Sequence, residues 1–247
     1  MSGSGPLYYC ELPDGLGPGE TLSLSGAEGH HAVDVRRLRS GEAVVLGDGA
    51  GKTCRCRITT AERGSLSAEI VEILEEPVPR VRVTLQQALA KGGRDELAIQ
   101  AATEAGVWAV RPWLARRSIS RWEGRKIERG AERWCSVVRE AAKQSLRSRI
   151  PEVLPLCAEP SGRLREDDAS LRLVLDPEAE ERLGQLALPE TGDITILVGP
   201  EGGIPEQDLV SLSEAGVRRV RLGETVLRTS TAGVAALAIL NAKAGLW

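Results

Sequence analysis

The chain opens with short apolar runs interleaved with polar residues: TLSLS (21–25), EAVVLGDGAG (42–51), KTCRCRITT (52–60) and SLSAEIVEIL (65–74). Period-two alternation and β-branched residues predict strands with one buried face. GDGAG supplies the glycines of a turn, and a brief helix is expected from His31 to Leu38. Together these elements predict a small β-barrel, an architecture that often carries oligonucleotide contacts. Glu75-Glu76-Pro77-Val78-Pro79 then breaks the alternation and marks a linker.

Beyond the linker the rhythm changes. VRVTLQQAL (81–89) precedes the helical DELAIQAATEAGV (95–107), in which Ala105-Gly106 reads as a helix end. WAVRPWL (108–114) predicts another strand, and a long helical pattern follows from about Lys126 to Ser148. RLVLD (172–176), ITILV (194–198) and RRVRL (218–222) are further short apolar runs, each with a helix candidate after it, the last being Thr231 to Lys243. This alternation predicts an α/β unit, a parallel sheet with helices on both faces. Ligands of such sheets sit outside the carboxyl ends of the strands.

Two strand-end loops stand out there. LVGPEGGIPEQDL (197–209) places three glycines around Glu201. It lacks the lysine of a phosphate-binding Walker loop and the G-x-G-x-x-G of a dinucleotide site. Its central acid also disfavours a bare phosphate. A plain strand-to-helix turn is the competing reading, with Pro205 at the first helical position and Glu206 and Asp208 at the positive helix end. The second loop, RLGETVLRTSTA (221–232), leaves its strand at Gly223 and sets Arg228 beside Thr229, Ser230 and Thr231. Helix capping accounts for one or two of these hydroxyls. It does not account for Arg228.

Composition adds a partner. The 247 residues are 42% apolar and 27% charged, with a net charge of −3. Residues 80–149 hold sixteen Lys or Arg against seven Asp or Glu, a balance of +9, so the remainder carries −12. A basic block in a mildly acidic chain suits a local polyanion footprint. No run of about 18 apolar residues predicts a membrane span, and the first residues lack the pattern of a signal peptide. Five cysteines (10, 54, 56, 135 and 157) form no CxxC pair. Cys54 and Cys56 are expected on opposite faces of a strand, which fits neither a disulfide framework nor a metal site, and a reduced, cytoplasmic protein is expected.

GPEGG together with LGxxxLRTxTA resembles the RsmE family of SPOUT methyltransferases, which methylate N3 of a uridine in 16S ribosomal RNA. KGGRDELAIQAATEAGV, RSISRW and RWCSVVREAAKQSLRSRIPEV resemble further segments of that family, the last with its Glu-x-x-x-Gln-Ser-x-Arg core. GHHAVDVRRLRSGEAVVLGDGAG resembles its amino-terminal PUA-like RNA-binding barrel. The resemblance implies a PUA-like barrel over residues 1–76 and a SPOUT domain over 77–247 with a C-terminal trefoil knot. It also implies a homodimer completed by basic residues of the partner chain, and S-adenosylmethionine as methyl donor. Leu197, Gly199, Pro200, Glu201, Gly202, Gly203, Leu222, Gly223, Leu227, Arg228 and Thr231 would hold the donor, with Glu201 mainly fixing its loop. The 16S RNA in the small subunit would meet Arg116, Arg117, Arg121, Arg139, Gln144, Arg147 and Arg149, with Gln144 and Arg147 on one helical face. Trp122 is the candidate for base stacking, whereas Trp108 and Trp113 read as core.

Uracil N3 carries a proton near neutral pH, so its methylation needs a developing anion to be stabilised. Arg228 suits that task, with Thr229 or Thr231 orienting the base. Both histidines, His30 and His31, lie in the barrel and read as capping or packing residues, so no general base is visible. The chain departs from the family pattern at Ser230, where an acid is usual, and at Glu224, where proline is frequent. A hydroxyl cap is the expected role of Ser230. Competing readings are a SPOUT enzyme for another RNA, a non-catalytic RNA-binding assembly factor and a small-molecule enzyme.

Overall fold

The computed structural model describes residues 5–158 and 171–247. Its contacts divide into two compact units, Met1–Val78 with Ala142–Ile150, and Pro79–Ala141 with Pro151–Trp247.

In the first unit, β1 (Leu7–Tyr9), β2 (Thr21–Leu24), β3 (Ala43–Gly47), β4 (Lys52–Glu62) and β5 (Ser65–Glu75) form one sheet in the order β1-β3-β4-β5-β2. All pairings are antiparallel except β1 with β3. Alternation drives the burial: Cys54, Cys56 and Ile58 point into the core, and Arg55 and Arg57 point out. Cys54 and Cys56 therefore share a face, against the sequence expectation, because residues two apart in a strand project to the same side. Burial pushes the Cys56 thiol up to about 12 and the Cys10 thiol up to about 11, and all five cysteines are free.

The helix expected at His31–Leu38 starts earlier, as α1 (Gly26–His30), and continues as a π-type turn over His31–Val35. The histidines thus sit at this junction rather than before a helix. His30 Nδ1 lies 2.7 Å from Asp34 Oδ2, and the His31 ring packs edge-on against Tyr8.

In the second unit, β6 (Val81–Ala88), β7 (Ala109–Trp113), β8 (Glu152–Val153), β9 (Leu171–Leu175), β10 (Gly192–Val198) and β11 (Arg218–Val220) form a wholly parallel sheet. Its order is β11-β9-β10-β6-β7-β8. Ile194 through Val198 are buried without interruption, as a central parallel strand covered on both faces requires. Its α-helices among the described residues are α2 (Arg94–Glu104), α3 (Arg125–Gln144, whose last residues, from Ala142, belong to the first unit), α4 (Glu206–Glu214) and α5 (Thr229–Lys243). α2 ends where Ala105 caps it and Gly106 turns left-handed at φ 90°. Asn241 of α5 donates to the Ala105 carbonyl at 2.7 Å, tying the two helices together.

Several boundaries differ from the sequence reading, among them the start of α5, at Thr229 rather than Thr231. α3 stops at Gln144 because Leu146 adopts a left-handed φ of 56°, a conformation that no helix accommodates. No α-helix lies between β9 and β10 among the described residues; a 3-10 turn at Leu183–Gln185 takes that place. Pro205 is the cap of α4, and Glu206 is its first helical residue.

Register aligns the strand ends. Val198 pairs with Gln87, Leu197 with Val174 and Val220 with Leu175, so Gln87, Val198, Leu175 and Val220 form one level row. The loops leaving β9, β10 and β11 therefore start from a common line.

Gly29 tests the packing of α1. A Cβ there would lie 2.5 Å from the Gly64 carbonyl oxygen and 2.8 Å from that of Leu24, both backbone atoms. Helix propensity favours Ala over Gly by roughly 1 kcal/mol, but overpacking against atoms that cannot yield costs about 1–3 kcal/mol. Gly29→Ala is expected to lower stability, read as a lower urea midpoint with an unchanged slope.

Candidate active site

Above the level row lies a cavity of about 530 Å³, a volume suited to a nucleoside-sized ligand. The end of β9 contributes Leu175, and the segment after it contributes Asp176 and Pro177. The β10 loop contributes Val198–Glu201, Gly203 and Ile204, and the β11 loop contributes Val220–Gly223 and Thr225–Thr229.

The β10 loop is folded by its own chemistry. Gly203 occupies the left-handed region at φ 72°, and its N–H closes a turn onto the Pro200 carbonyl at 2.9 Å. Glu201 Oε1 accepts from Arg94 Nη1 at 2.8 Å and from the Lys91 N–H at 3.3 Å. Burial alone would raise the Glu201 carboxyl, but hydrogen bonds from the backbone and from the Arg94 guanidinium outweigh it and hold the carboxyl below the usual range. Glu201 is thus bonded to the start of α2.

The β9 and β11 ends are joined in the same way. The Asp176 N–H donates to the Val220 carbonyl at 3.0 Å, and the nearly buried Asp176 carboxylate accepts from Arg219 Nε at 2.8 Å. Arg219 also pairs with Glu206 at 2.7 Å. Glu224, the departure from the family's proline, is held by Arg182 and lies 3.6 Å from Arg221.

Thr229 is the first residue of α5, and Arg228 is its cap position, with no side-chain cap bond. The hydroxyl cluster therefore does not cap the helix. Thr229 Oγ1 instead accepts from Gln87 Nε2 at 2.8 Å and donates to the Gly199 carbonyl at 2.8 Å, linking the two loops. Ser230 is the second helical residue, outside the capping position expected for it. Of the three arginines lining the cavity, Arg94 and Arg221 have acidic partners. Arg228 is exposed and has no hydrogen bond or ion pair from its side chain among the described residues.

Most expected donor contacts converge on the cavity: Gly199, Pro200, Glu201, Gly203, Leu222, Gly223, Leu227 and Arg228 all line it. Three do not. Leu197 points to the opposite side of β10 from Val198 and packs in a core cluster with Trp113 and Leu209. Gly202 faces Arg117, whose Cβ lies 3.3 Å from where a Cβ of Gly202 would sit. Thr231 is exposed on α5, away from the lining. Sequence reasoning missed Asp176 and Arg94; a polar residue closing the apolar run RLVLD was the available signal for Asp176.

The expected RNA contacts are partly engaged within the protein. Arg116 pairs with Asp208 at 3.1 Å, Arg117 Nη1 donates to the Gly202 carbonyl at 3.0 Å, and Arg121 pairs with Glu123 at 3.0 Å. Gln144 is exposed at the end of α3. Arg147 lies beyond the helix, so the two do not share a helical face. Burial lowers the Arg147 pKa, and its carbonyl accepts from the Tyr9 hydroxyl at 2.7 Å. Arg149 donates to the Ala50 and Glu76 carbonyls, which commits its guanidinium to the first unit. Trp122 packs edge-on against the buried Trp134 at 5.5 Å rather than standing free, and Trp113 is core as expected.

Family comparison agrees with this geometry. Residues 76–241 match a family described as RNA methyltransferase domain, and residues 24–71 match one described as RNA methyltransferase PUA domain. The chain is a member of the SPOUT-type RNA methyltransferases. Within them it belongs to the ribosomal RNA small subunit methyltransferase E family. A protein of that name from Mycobacterium tuberculosis (strain CDC 1551 / Oshkosh) is 44% identical, covering 98% of this chain and 93% of its own length. One from Bacillus subtilis (strain 168) is 29% identical, covering 95% of each. The crystal structure of the Neisseria gonorrhoeae enzyme of that name, bound to S-adenosyl methionine, superimposes with a TM-score of 0.84 at 32% identity, covering 98% of both chains.

Glu201→Gln tests the loop clamp. A carboxyl held below its unfolded value of about 4.3 stabilises the fold above that pH, and the contribution is lost as pH falls through the folded value. The pair is partly exposed, so its worth is expected to stay below about 1 kcal/mol. Urea titrations should show wild type more stable than Glu201→Gln at pH 7, with the difference vanishing in strong acid.

Proposed function

We propose that this protein transfers a methyl group from S-adenosylmethionine to N3 of a uridine in the 16S ribosomal RNA of the small subunit. One observation carries the reading: three loops rising from a level row of parallel strand ends enclose one cavity, and the guanidinium of Arg228, unpaired among the described residues, lines it.

The residues fit the donor. A Cβ at Gly223 would meet nothing within 4 Å, so the backbone there borders open cavity that a nucleoside can fill. Leu175, Val198, Ile204, Leu222 and Leu227 offer apolar walls, and no basic P-loop is needed because the donor carries no phosphate. When bound, S-adenosylmethionine supplies an electrophilic methyl on a positively charged sulfur. Asp176 and Glu201 make the surroundings tolerant of that charge, although each is already held by an arginine.

Neither acid is therefore placed as a free base. The Thr229 hydroxyl proton is directed to the Gly199 carbonyl, and both histidines belong to the first unit. Arg228 is left to favour the uracil anion by donating to its carbonyl oxygens, and the N3 proton passes to solvent. Such stabilisation acts most strongly as charge develops.

The work is divided in this reading between an RNA-binding barrel over residues 1–76 and a catalytic domain over residues 77–247. Arg116, Arg121 and the exposed face of α3 are the candidate phosphate contacts. We further infer a cytoplasmic homodimer and a knotted carboxyl-terminal segment. In support of the knot, the chain leaves β10 and crosses β9 to reach β11. Ser230, standing where relatives of this pattern carry an acid, favours one alternative, a non-catalytic assembly factor that keeps the donor pocket.

Methyl transfer to purified small subunits, with the modified base mapped, decides between these readings. Donor binding without transfer would leave the assembly factor. Arg228→Ala is expected to lower the single-turnover rate about 10²- to 10³-fold with donor affinity little changed, and Arg228→Lys should not fully restore it. A wild-type rate for Arg228→Ala would make Arg228 a structural residue. Light scattering at micromolar concentration should give the mass of a dimer.

A further inference from the structure

Gln87, the penultimate residue of β6, lies on the level row, paired with Val198, and its side chain is wholly buried. It does not line the cavity. Its Nε2 lies 2.8 Å from Thr229 Oγ1 and 3.2 Å from the Ala88 carbonyl oxygen. A carbonyl only accepts, so the amide nitrogen must face it, and this fixes which end of the amide meets Thr229. The Thr229 hydroxyl has one proton. Gln87 can only give there and the Gly199 carbonyl can only accept, so the hydrogen bonds run one way, from Gln87 through Thr229 to Gly199. The last two members line the cavity, and Arg228 directly precedes Thr229.

The other end of the amide shows what the arrangement is for. Gln87 Oε1 is buried with no hydrogen-bond partner among the described residues. A buried amide retained for stability alone is expected to satisfy both ends, since an unmet acceptor is costly. This one satisfies only the end that reaches the two donor-site loops.

We propose that Gln87 is a positioning residue of the donor site, holding the Thr229 end of α5 against the Gly199 loop through a one-way hydrogen-bond relay. The proposal rests on the assignment of the cavity to S-adenosylmethionine. Replacing Gln87 with leucine removes the bond to Thr229 and the unmet acceptor together, so the two stability effects oppose each other. Stability should change little while donor binding suffers.

Calorimetry with S-adenosylmethionine, beside thermal melting, tests this on wild type, Gln87→Leu, Thr229→Val, Thr229→Ser and the double variant Gln87→Leu/Thr229→Val. Gln87→Leu is expected to weaken donor affinity about tenfold, the worth of one buried hydrogen bond, with melting within a few degrees of wild type. In turnover the KM for the donor should rise more than kcat falls. Thr229→Val should lose at least as much affinity, Thr229→Ser should stay near wild type, and the double variant should be no worse than Thr229→Val, because all act through one relay. Wild-type affinity in Gln87→Leu, or fully additive losses, overturns the relay, as does an affinity loss matched by a collapse in melting temperature. If Gln87→Leu does not fold, the Thr229 pair decides: loss in Val with retention in Ser supports the relay, and wild-type affinity in Val overturns it. Wild-type protein that binds no S-adenosylmethionine overturns the donor-site assignment as well.

Discussion

Parallel hydrogen-bond pairing sets β6, β10, β9 and β11 in a register where Gln87, Val198, Leu175 and Val220 stand side by side. Everything at the candidate site hangs from that row. A register change by one residue in β10 would exchange the cavity-facing Val198 for the core-facing Leu197. It would also move the Gly199 carbonyl away from Thr229. The uninterrupted burial of Ile194–Val198 resists such a slip, because both faces of the strand are packed and every side chain has a fixed place.

Charge at the cavity is arranged by subtraction. Asp176 is satisfied by Arg219, Glu201 by Arg94, and Arg221 lies near Glu224. These pairs order the loops, and in doing so remove their members from general acid–base work. Arg228 escapes because it occupies the cap of α5, where the next residue, Thr229, turns inward to Gln87 and Gly199. The loop geometry and the proposed chemistry therefore share an origin. A helix start that would ordinarily be capped by its own hydroxyl is held instead by a neighbouring strand.

The basic block between residues 80 and 149 shows how a sound compositional signal can mislead residue by residue. The excess of cations is real. Yet Arg149 is bonded to backbone carbonyls in the first unit, and Arg147 is half-buried there. The chain joins the first unit from Ala142 on, and Leu146 turns left-handed and ends α3 just ahead of Arg147 and Arg149. Arg133 likewise spends its charge on Glu96.

Periodicity alone determined much. Alternation placed β2 to β5, continuous apolar runs placed β6, β7, β9 and β10, and glycine-rich strand ends located the cavity's two main loops, because local sterics and solvent contact act through neighbouring residues. Only the tertiary structure decided that Gln87 reaches Thr229, that Asp176 borders the cavity and that Leu197 and Gly202 do not. That Cys54 and Cys56 share one face, by contrast, follows from the two-residue period of a strand and was legible in the sequence. Gln87 and Thr229 stand 142 positions apart. No local pattern records such a contact: it exists because pairing across the sheet and the packing of α5 bring the end region of β6 and the start of a helix to one height.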